Sequence, residues 1–293
     1  RALLSLPLPP IQPLPPFPLL TSLTKPDSAL VADLHPSPNI EARQPVYRAG
    51  SASSTRPDLI VLHYTGMSSA AKAIDWLSRP ESKVSAHYVV DVDGRITQLV
   101  AEAMRAWHAG VSVWHGETDI NSLSIGIEIQ NPGHADGYHD FPTEQMRAVA
   151  ELCRDIGARH GVQPARVLAH SDIAPSRKID PGEKFNWAWL AAEGIGHWVE
   201  PVAVDATDAG LGCGASGSRV AEMQGLLREY GYGCAGVVSE TRFQLGILDQ
   251  PTEVVIKAFQ RHFRPARVDG HIDASTFVTL KNLIKALRRP LTT

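Results

Sequence analysis

Residues 58 to 66 of the 293-residue chain read Asp58-Leu59-Ile60-Val61-Leu62-His63-Tyr64-Thr65-Gly66. Four consecutive apolar residues are typical of a strand that is buried on both faces of a sheet. The polar residues that follow place His63 where this strand ends. Polar groups at the end of a buried strand are a common location for a binding or catalytic site, so this stretch indicates both a sheet and the edge where a site forms.

The chain beyond this strand alternates between helix and strand patterns. In chain order these are a helix with Ala73, Ile74 and Leu77 on one face, a hairpin of residues 86–91 and 95–100 around Asp93-Gly94, a strand with alternating Ile125, Ile127 and Ile129, a helix between Thr143 and Gly161, and a short strand at Val167-Leu168-Ala169 that delivers His170. Interleaved helices and strands predict an α/β fold with a mixed central β-sheet flanked by helices.

Composition excludes several classes of protein. Lys and Arg number 28 against 31 Asp and Glu, which leaves a net charge of -3 and no basic field for a nucleic acid. Prolines interrupt the most apolar stretch, residues 2 to 20, so we expect no transmembrane segment. The chain opens on Arg1 and shows no export signal; such a signal could have been removed or left out, and the compartment stays open.

Four regions follow from the local patterns. Residues 1–57 are rich in Pro and Ser and are expected to form a flexible leader. Residues 58–200 are expected to be the catalytic domain, 201–211 a linker, and 212–289 a small domain of three helices. Two of these helices begin with an Asp-x-x-Thr pattern, at Asp249 and Asp273, which favours helix capping. Cys213 and Cys234 of the small domain either pair or remain free thiols.

Three side chains of the predicted catalytic domain are candidate metal ligands. His63 and His170 each end an apolar strand, and Asp180 lies in the loop after the second strand. Zinc hydrolases use two or three imidazoles or carboxylates and keep one position open for water. The chain has 12 His, so for either histidine alone an ordinary hydrogen-bonded role is the simpler interpretation. Glu128 lies on the strand face opposite the isoleucines, where a solvated carboxylate is the alternative to a catalytic one.

A longer motif supports the metal site. The loop reads His170-Ser171-Asp172-Ile173-Ala174-Pro175-Ser176-Arg177-Lys178-Ile179-Asp180-Pro181-Gly182. Together with this loop, five further segments carry a resemblance to a known family. They are Val61-Leu62-His63-Tyr64-Thr65, Ser85-Ala86-His87-Tyr88-Val89, Asp93-Gly94, Ala106-Trp107-His108-Ala109-Gly110 and Ser124-Ile125-Gly126-Ile127-Glu128. In this order, over roughly residues 58 to 190, the chain resembles the zinc-dependent N-acetylmuramoyl-L-alanine amidases of the second type, a family that includes phage lysozyme-amidases and peptidoglycan recognition proteins.

The resemblance implies a role for each of these residues. His63, His170 and Asp180 would bind Zn²⁺, Glu128 would position or deprotonate the attacking water, and Lys178 would stabilise the oxyanion. Asp180 stands where phage and animal members carry Cys, which places the chain with the bacterial recycling and envelope enzymes.

The resemblance also suggests residues that bind substrate. Trp107 and His108 are expected in the groove beside the zinc, together with Tyr64, although simple packing would also explain Trp107. Asp172 is expected to cap a turn or helix, and Arg177 to be a solvated charge.

The C-terminal part, residues 211 to 289, resembles the three-helix peptidoglycan-binding module through pairs such as Ala258-Phe259 and Asp269-Gly270. A chain ending near Val204 is therefore expected to fold, bind zinc and cleave small soluble fragments, while losing affinity for insoluble wall.

We therefore expect a zinc amidase that cleaves the amide bond between N-acetylmuramic acid and L-alanine of peptidoglycan or muropeptides, in cell-wall turnover or recycling. A non-catalytic peptidoglycan recognition protein and a zinc carboxypeptidase are the alternatives. The preference for intact wall or anhydro-muropeptides and the oligomeric state stay open. A wall-binding module favours the envelope or periplasm, whereas the missing export signal favours the cytoplasm.

Overall fold

A computed structural model describes residues 23–46, 54–233 and 244–288. The strands are β1 Asp33–Leu34, β2 Ile40–Ala42, β3 Leu59–Tyr64, β4 Tyr88–Val90, β5 Ile96–Gln98, β6 Met104–Ala106, β7 Ser124–Ile129 and β8 Val167–Ala169. The helices are α1 Ala70–Leu77, α2 Ile120–Leu123, α3 Thr143–His160, α4 His170–Ile173, α5 Trp187–Ala192, α6 Ser218–Tyr230, α7 Gln250–Phe263 and α8 Ala274–Leu287. Among the described residues, no helix is both long enough and apolar enough to cross a bilayer.

The central sheet has six strands in the order β1-β5-β4-β7-β3-β8. Strand β3 lies between β7 and β8 and is parallel to both, and its residues Leu59 to Leu62 are fully buried. Strand β5 runs antiparallel to β4, in a hairpin that turns at Gly94, and β1 is parallel to β5, so these two strands run opposite to the other four. The predicted α/β fold with a mixed sheet is thus confirmed. The sequence could indicate it because a continuous apolar strand needs cover on both faces of the sheet.

Both faces of the sheet are covered by helices. Ile60 and Leu62 of β3 pack with α3, whose apolar residues include Val149 and the buried Cys153. On the opposite face, Leu59 and Val61 belong to one hydrophobic cluster with residues of the C-terminal helices α6, α7 and α8. The C-terminal helical region therefore shares one hydrophobic cluster with the sheet.

The predicted N-terminal leader differs from the structure over residues 23–46. Strand β1 pairs with β5 and strand β2 pairs with β6, so this part of the chain extends the fold. Arg43 is 6% exposed and donates to the carbonyl oxygens of Glu102, Asn121, Ser122 and Ser124. A buried guanidinium is stable only when its N–H groups have partners, and four carbonyls supply them. The richness in Pro and Ser had suggested a flexible leader.

The three helices predicted at the C-terminal end are present as α6, α7 and α8. Asp249 and Asp273 cap α7 and α8, because their side chains accept hydrogen bonds from the backbone N–H groups of Thr252 and Thr276. Cys213 is exposed, and Cys234 lies outside the described residues, so both alternatives for these two cysteines, a disulfide or free thiols, stay open.

Candidate active site and metal centre

The sheet register brings the predicted site residues to one edge. His63 on β3 lies directly opposite Glu128 on β7. The preceding pair is Leu62 and Ala169, so His170 follows at the same level from the other side. Asp180 returns to this edge because its carbonyl oxygen accepts a hydrogen bond from the Ser171 N–H at 3.0 Å. The carboxyl ends of parallel strands thus gather residues from three distant parts of the chain.

His63, His170 and Asp180 form a compact, buried group of three acceptor atoms. The Nδ1 atoms of the two imidazoles are 2.8 Å apart, and Oδ2 of Asp180 lies 3.2 Å from Nδ1 of His63 and 3.0 Å from Nδ1 of His170. Their potential ligand atoms all lie within 4.8 Å of one another. Two imidazole nitrogens and one carboxylate oxygen, converging in a buried position, are a donor set that can hold a metal ion.

The electrostatics of the cluster favour the protonation states that metal ligands need. Burial, followed by the nearby charge of His170, lowers the pKa of His63 to about 4, so its ring is neutral near pH 7. Burial alone would raise the pKa of Asp180, but the two imidazoles hold that pKa well below its usual value. A neutral imidazole and an ionised carboxylate are the forms that bind a metal.

The outer nitrogens of both imidazoles are held by the segment around His108. Nε2 of His63 lies 3.0 Å from Nδ1 of His108, and Nε2 of His170 lies 3.2 Å from the carbonyl oxygen of Ala109. The backbone N–H groups of His108 and Ala109 both donate to Oδ1 of Asn121. One short segment therefore orients two candidate ligands, as outer partners of metal-bound histidines generally do.

Proton positions follow along this path. Since Nδ1 of His63 faces the other acceptor atoms, its proton is assigned to Nε2, which donates to Nδ1 of His108. His108 then carries its proton on Nε2, which lies 3.2 Å from the Ser124 hydroxyl, and that hydroxyl donates to the carbonyl oxygen of Ile120. Every donor along this path, from His63 through His108 and Ser124, therefore has an acceptor.

His108 lines the cavity beside the candidate metal centre, and its contact with substrate stays a prediction. Its side chain is largely buried, and both ring nitrogens already have partners in the protein. The room for its ring comes from Gly126, where a Cβ atom would lie 2.4 Å from the imidazole. A glycine inside a buried strand marks a close approach, and this signal in the sequence could have located the contact.

Glu128 lies beside the three acceptor atoms. Its Oε2 atom is buried and has no hydrogen-bond partner within the described part of the chain. Burial and then the charge of Asp180 raise the pKa of Glu128 well above its usual value, and the charge of Lys178 opposes them. An unpaired carboxyl oxygen in such a position is costly unless a water or a substrate group supplies the missing partner.

A cavity of about 300 Å³ opens onto this cluster. The residues predicted to lie close to substrate that line it are Tyr64, Trp107, His108 and Lys178. Trp76 and Met67, which the sequence did not indicate, line it as well. Exposure of the Trp76 side chain, at 40%, is high for a large apolar residue and was not readable from the helical pattern of α1.

Two regions of the chain match known protein families. Residues 53–183 match the N-acetylmuramoyl-L-alanine amidase family, and residues 216–280 match a peptidoglycan binding domain. The N-acetylmuramoyl-L-alanine amidase AmiD of Escherichia coli is 36% identical over 253 residues, which cover 81% of this chain and 86% of AmiD.

Solved structures show the same similarity. The complex of E. coli AmiD with anhydro-N-acetylmuramic acid-L-Ala-D-γ-Glu-L-Lys superposes with a TM-score of 0.65 at 35% identity, covering 82% of this chain and 93% of AmiD. AmpDh3 of Pseudomonas aeruginosa, in complex with anhydromuramic pentapeptide, gives a TM-score of 0.64 at 31% identity and covers 82% and 96% of the two chains. The predicted fold and family are thus confirmed, and the chain belongs to the N-acetylmuramoyl-L-alanine amidase family.

Proposed function

We propose that this protein hydrolyses the amide bond between the lactyl group of N-acetylmuramic acid and the L-alanine of the stem peptide. The observation that carries the proposal is the cluster of His63, His170 and Asp180 beside the unpaired carboxyl oxygen of Glu128, at the base of an open cavity. The ligands named for the AmiD and AmpDh3 complexes are anhydromuramyl peptides, which supports the same substrate class here.

We propose His63, His170 and Asp180 as the ligands of a zinc ion. Two nitrogens and one carboxylate oxygen suit Zn²⁺, and three protein ligands leave a position open for catalysis. When bound, the ion would lower the pKa of a water molecule and polarise the carbonyl group under attack.

Glu128 moves the proton in this proposal. Its unpaired Oε2 can accept a proton from the attacking water and then transfer it to the amide nitrogen, which leaves as the free amine of L-alanine. Lys178 lines the same cavity, and its ammonium group stabilises the negative charge that develops on the carbonyl oxygen. Because every proton and charge has a destination on these residues, a purely recognising role is the weaker alternative.

The regions around these groups are proposed to bind the substrate. Trp107 and Tyr64 present aromatic surface to the cavity. The Trp107 Nε1 atom is buried with no partner among the described residues, so it can donate a hydrogen bond to a substrate oxygen.

We assign residues 58–200 to catalysis, 201–211 to a linker and 212–289 to peptidoglycan binding. Binding of polymeric wall would place the protein in the cell envelope.

Product analysis on a purified muropeptide tests the proposal. We expect one product to be the intact stem peptide and the other to be the sugar with a free lactyl carboxylate, identified by mass. His170→Ala should abolish both zinc binding and product formation. Release of a single amino acid would instead indicate a carboxypeptidase, and tight binding without any product would indicate a recognition protein.

A further inference from the structure

Asp172 connects the candidate metal centre to the C-terminal helical region. Its side chain is 1% exposed and accepts three hydrogen bonds. One comes from the backbone N–H of Ala169 at 2.8 Å, within its own turn. The other two come from the C-terminal region, namely the Tyr232 hydroxyl at 2.5 Å and Nδ1 of His262 at 2.6 Å. The expected capping role of Asp172 is thus present, and two further contacts are added to it.

These contacts act on the turn that carries His170. The bond from Ala169 to Asp172 closes the first turn of α4, and His170 is the first residue of that helix. The next residue, Ser171, donates to the carbonyl oxygen of Asp180, so the same short turn also positions the second candidate ligand. The orientation of Asp172 therefore affects two of the three ligand side chains.

The partners of Asp172 are themselves fixed by packing. Tyr232 is fully buried, and His262 stacks on Trp187 with ring centroids 3.7 Å apart. The apolar side of α4, at Ile173, belongs to the same hydrophobic cluster as Phe259 of α7. A buried carboxyl group held by rigid donors has one orientation, whereas without them it would seek water.

We propose that the C-terminal helical region, besides binding wall material, positions the metal centre, with Tyr232 and His262 as positioning residues that act through Asp172. This proposal rests on the proposed function for the roles of His170 and Asp180. If the C-terminal helical region only bound wall material, its loss would affect activity on the polymer alone. The proposal predicts that catalysis on small soluble fragments depends on this region as well.

The test uses full-length variants loaded with zinc. Tyr232→Phe removes one hydroxyl, and His262→Leu removes one donor, while His262→Asn retains an amide N–H where Nδ1 stands. Nε2 of His262 finds no hydrogen-bond partner in the described ranges, so asparagine loses no other bond. The matched control is Thr252→Val, which removes a buried hydroxyl about 15 Å away along α7, where Thr252 bonds Gln224.

Two quantities are measured at a temperature where every variant is folded: the zinc dissociation constant, by competition with a chelator, and kcat and KM on a soluble muropeptide. Tyr232→Phe and His262→Leu should each raise the dissociation constant and lower kcat by about tenfold, the lower end of the range for losing a group that orients a ligand. KM and retention on sacculi should not change. His262→Asn should recover most of both losses, and Thr252→Val should stay within about twofold of the unmodified protein.

Equal zinc affinity in Tyr232→Phe, His262→Leu and the control would overturn the positioning role. A loss confined to sacculus binding would overturn it as well, because it would leave the region with a tethering role only. If the unmodified protein binds zinc but does not cleave the muropeptide, the proposed function fails, while the zinc affinities still decide whether Tyr232 and His262 position the metal centre.

Discussion

Replacement of His108 tests how the metal centre is oriented. His108→Phe keeps a ring beside Gly126 but removes the Nδ1 atom that accepts the hydrogen bond from Nε2 of His63. The buried Nε2–H of His63 then has no partner, and its ring can rotate away from the position shared with His170 and Asp180. Loss of such an outer partner costs about 10- to 100-fold in metal affinity. This range corresponds to roughly 1.4–2.8 kcal/mol of binding free energy.

The assay is a zinc titration against a competing chelator, with the cobalt-substituted protein as a second readout of ligand geometry. His108→Asn is the matched control, because the oxygen of the asparagine side chain can accept a hydrogen bond from Nε2 of His63. Gly126→Ala should resemble His108→Phe, since the added Cβ displaces the same ring. The reasoning is refuted if His108→Phe binds zinc within about twofold of the unmodified protein and leaves the cobalt spectrum unchanged.

Three further predictions concern catalysis, pH and domain organisation. Glu128→Gln and Lys178→Ala should keep their zinc, measured by elemental analysis, and lose roughly two to four powers of ten in kcat; retained turnover would reassign the role. Burial alone would raise the pKa of Glu102, but hydrogen bonds from His160, Arg159 and Tyr88 lower this pKa from 4.5 to about 2. The ionised group therefore stabilises the fold above pH 4.5, and its contribution, up to roughly 3 kcal/mol, is lost as pH falls toward 2. Denaturant titrations should show a shallower loss over this range in Glu102→Gln, and an equal slope would contradict it. A chain ending at Val204 should lose activity on soluble fragments as well as on sacculi, contrary to the expectation from sequence, and full activity on fragments would favour independent modules.

The edge of the sheet was predictable because short-range patterns determine it. The apolar run before His63 and the strand before His170 each predict a buried strand, and parallel strands bring their carboxyl ends together. The opposite face of β7 likewise placed Glu128. These inferences need only the period of a strand and the length of a loop.

The remaining contacts depend on tertiary packing between distant segments. Tyr232 and His262 lie 60 and 90 residues from Asp172, and no local pattern links them. Arg43 lies in a segment whose composition suggested a flexible leader, yet it donates to four carbonyl oxygens of the core. A polar residue is recognisable as buried only when its partners are known, and those partners come from the assembled fold.

The two supports of the candidate metal centre come from different parts of the chain. From one side, the segment of His108 and Ala109 holds the outer nitrogens of both imidazoles, and Asn121 fixes that segment. From the other side, Asp172 holds the turn of His170 and is itself fixed by the C-terminal helical region. A metal site needs its ligands held within a few tenths of an ångström, and His170 is restrained from both sides. The region proposed to bind the wall is thereby part of the support of His170, a proposed metal ligand.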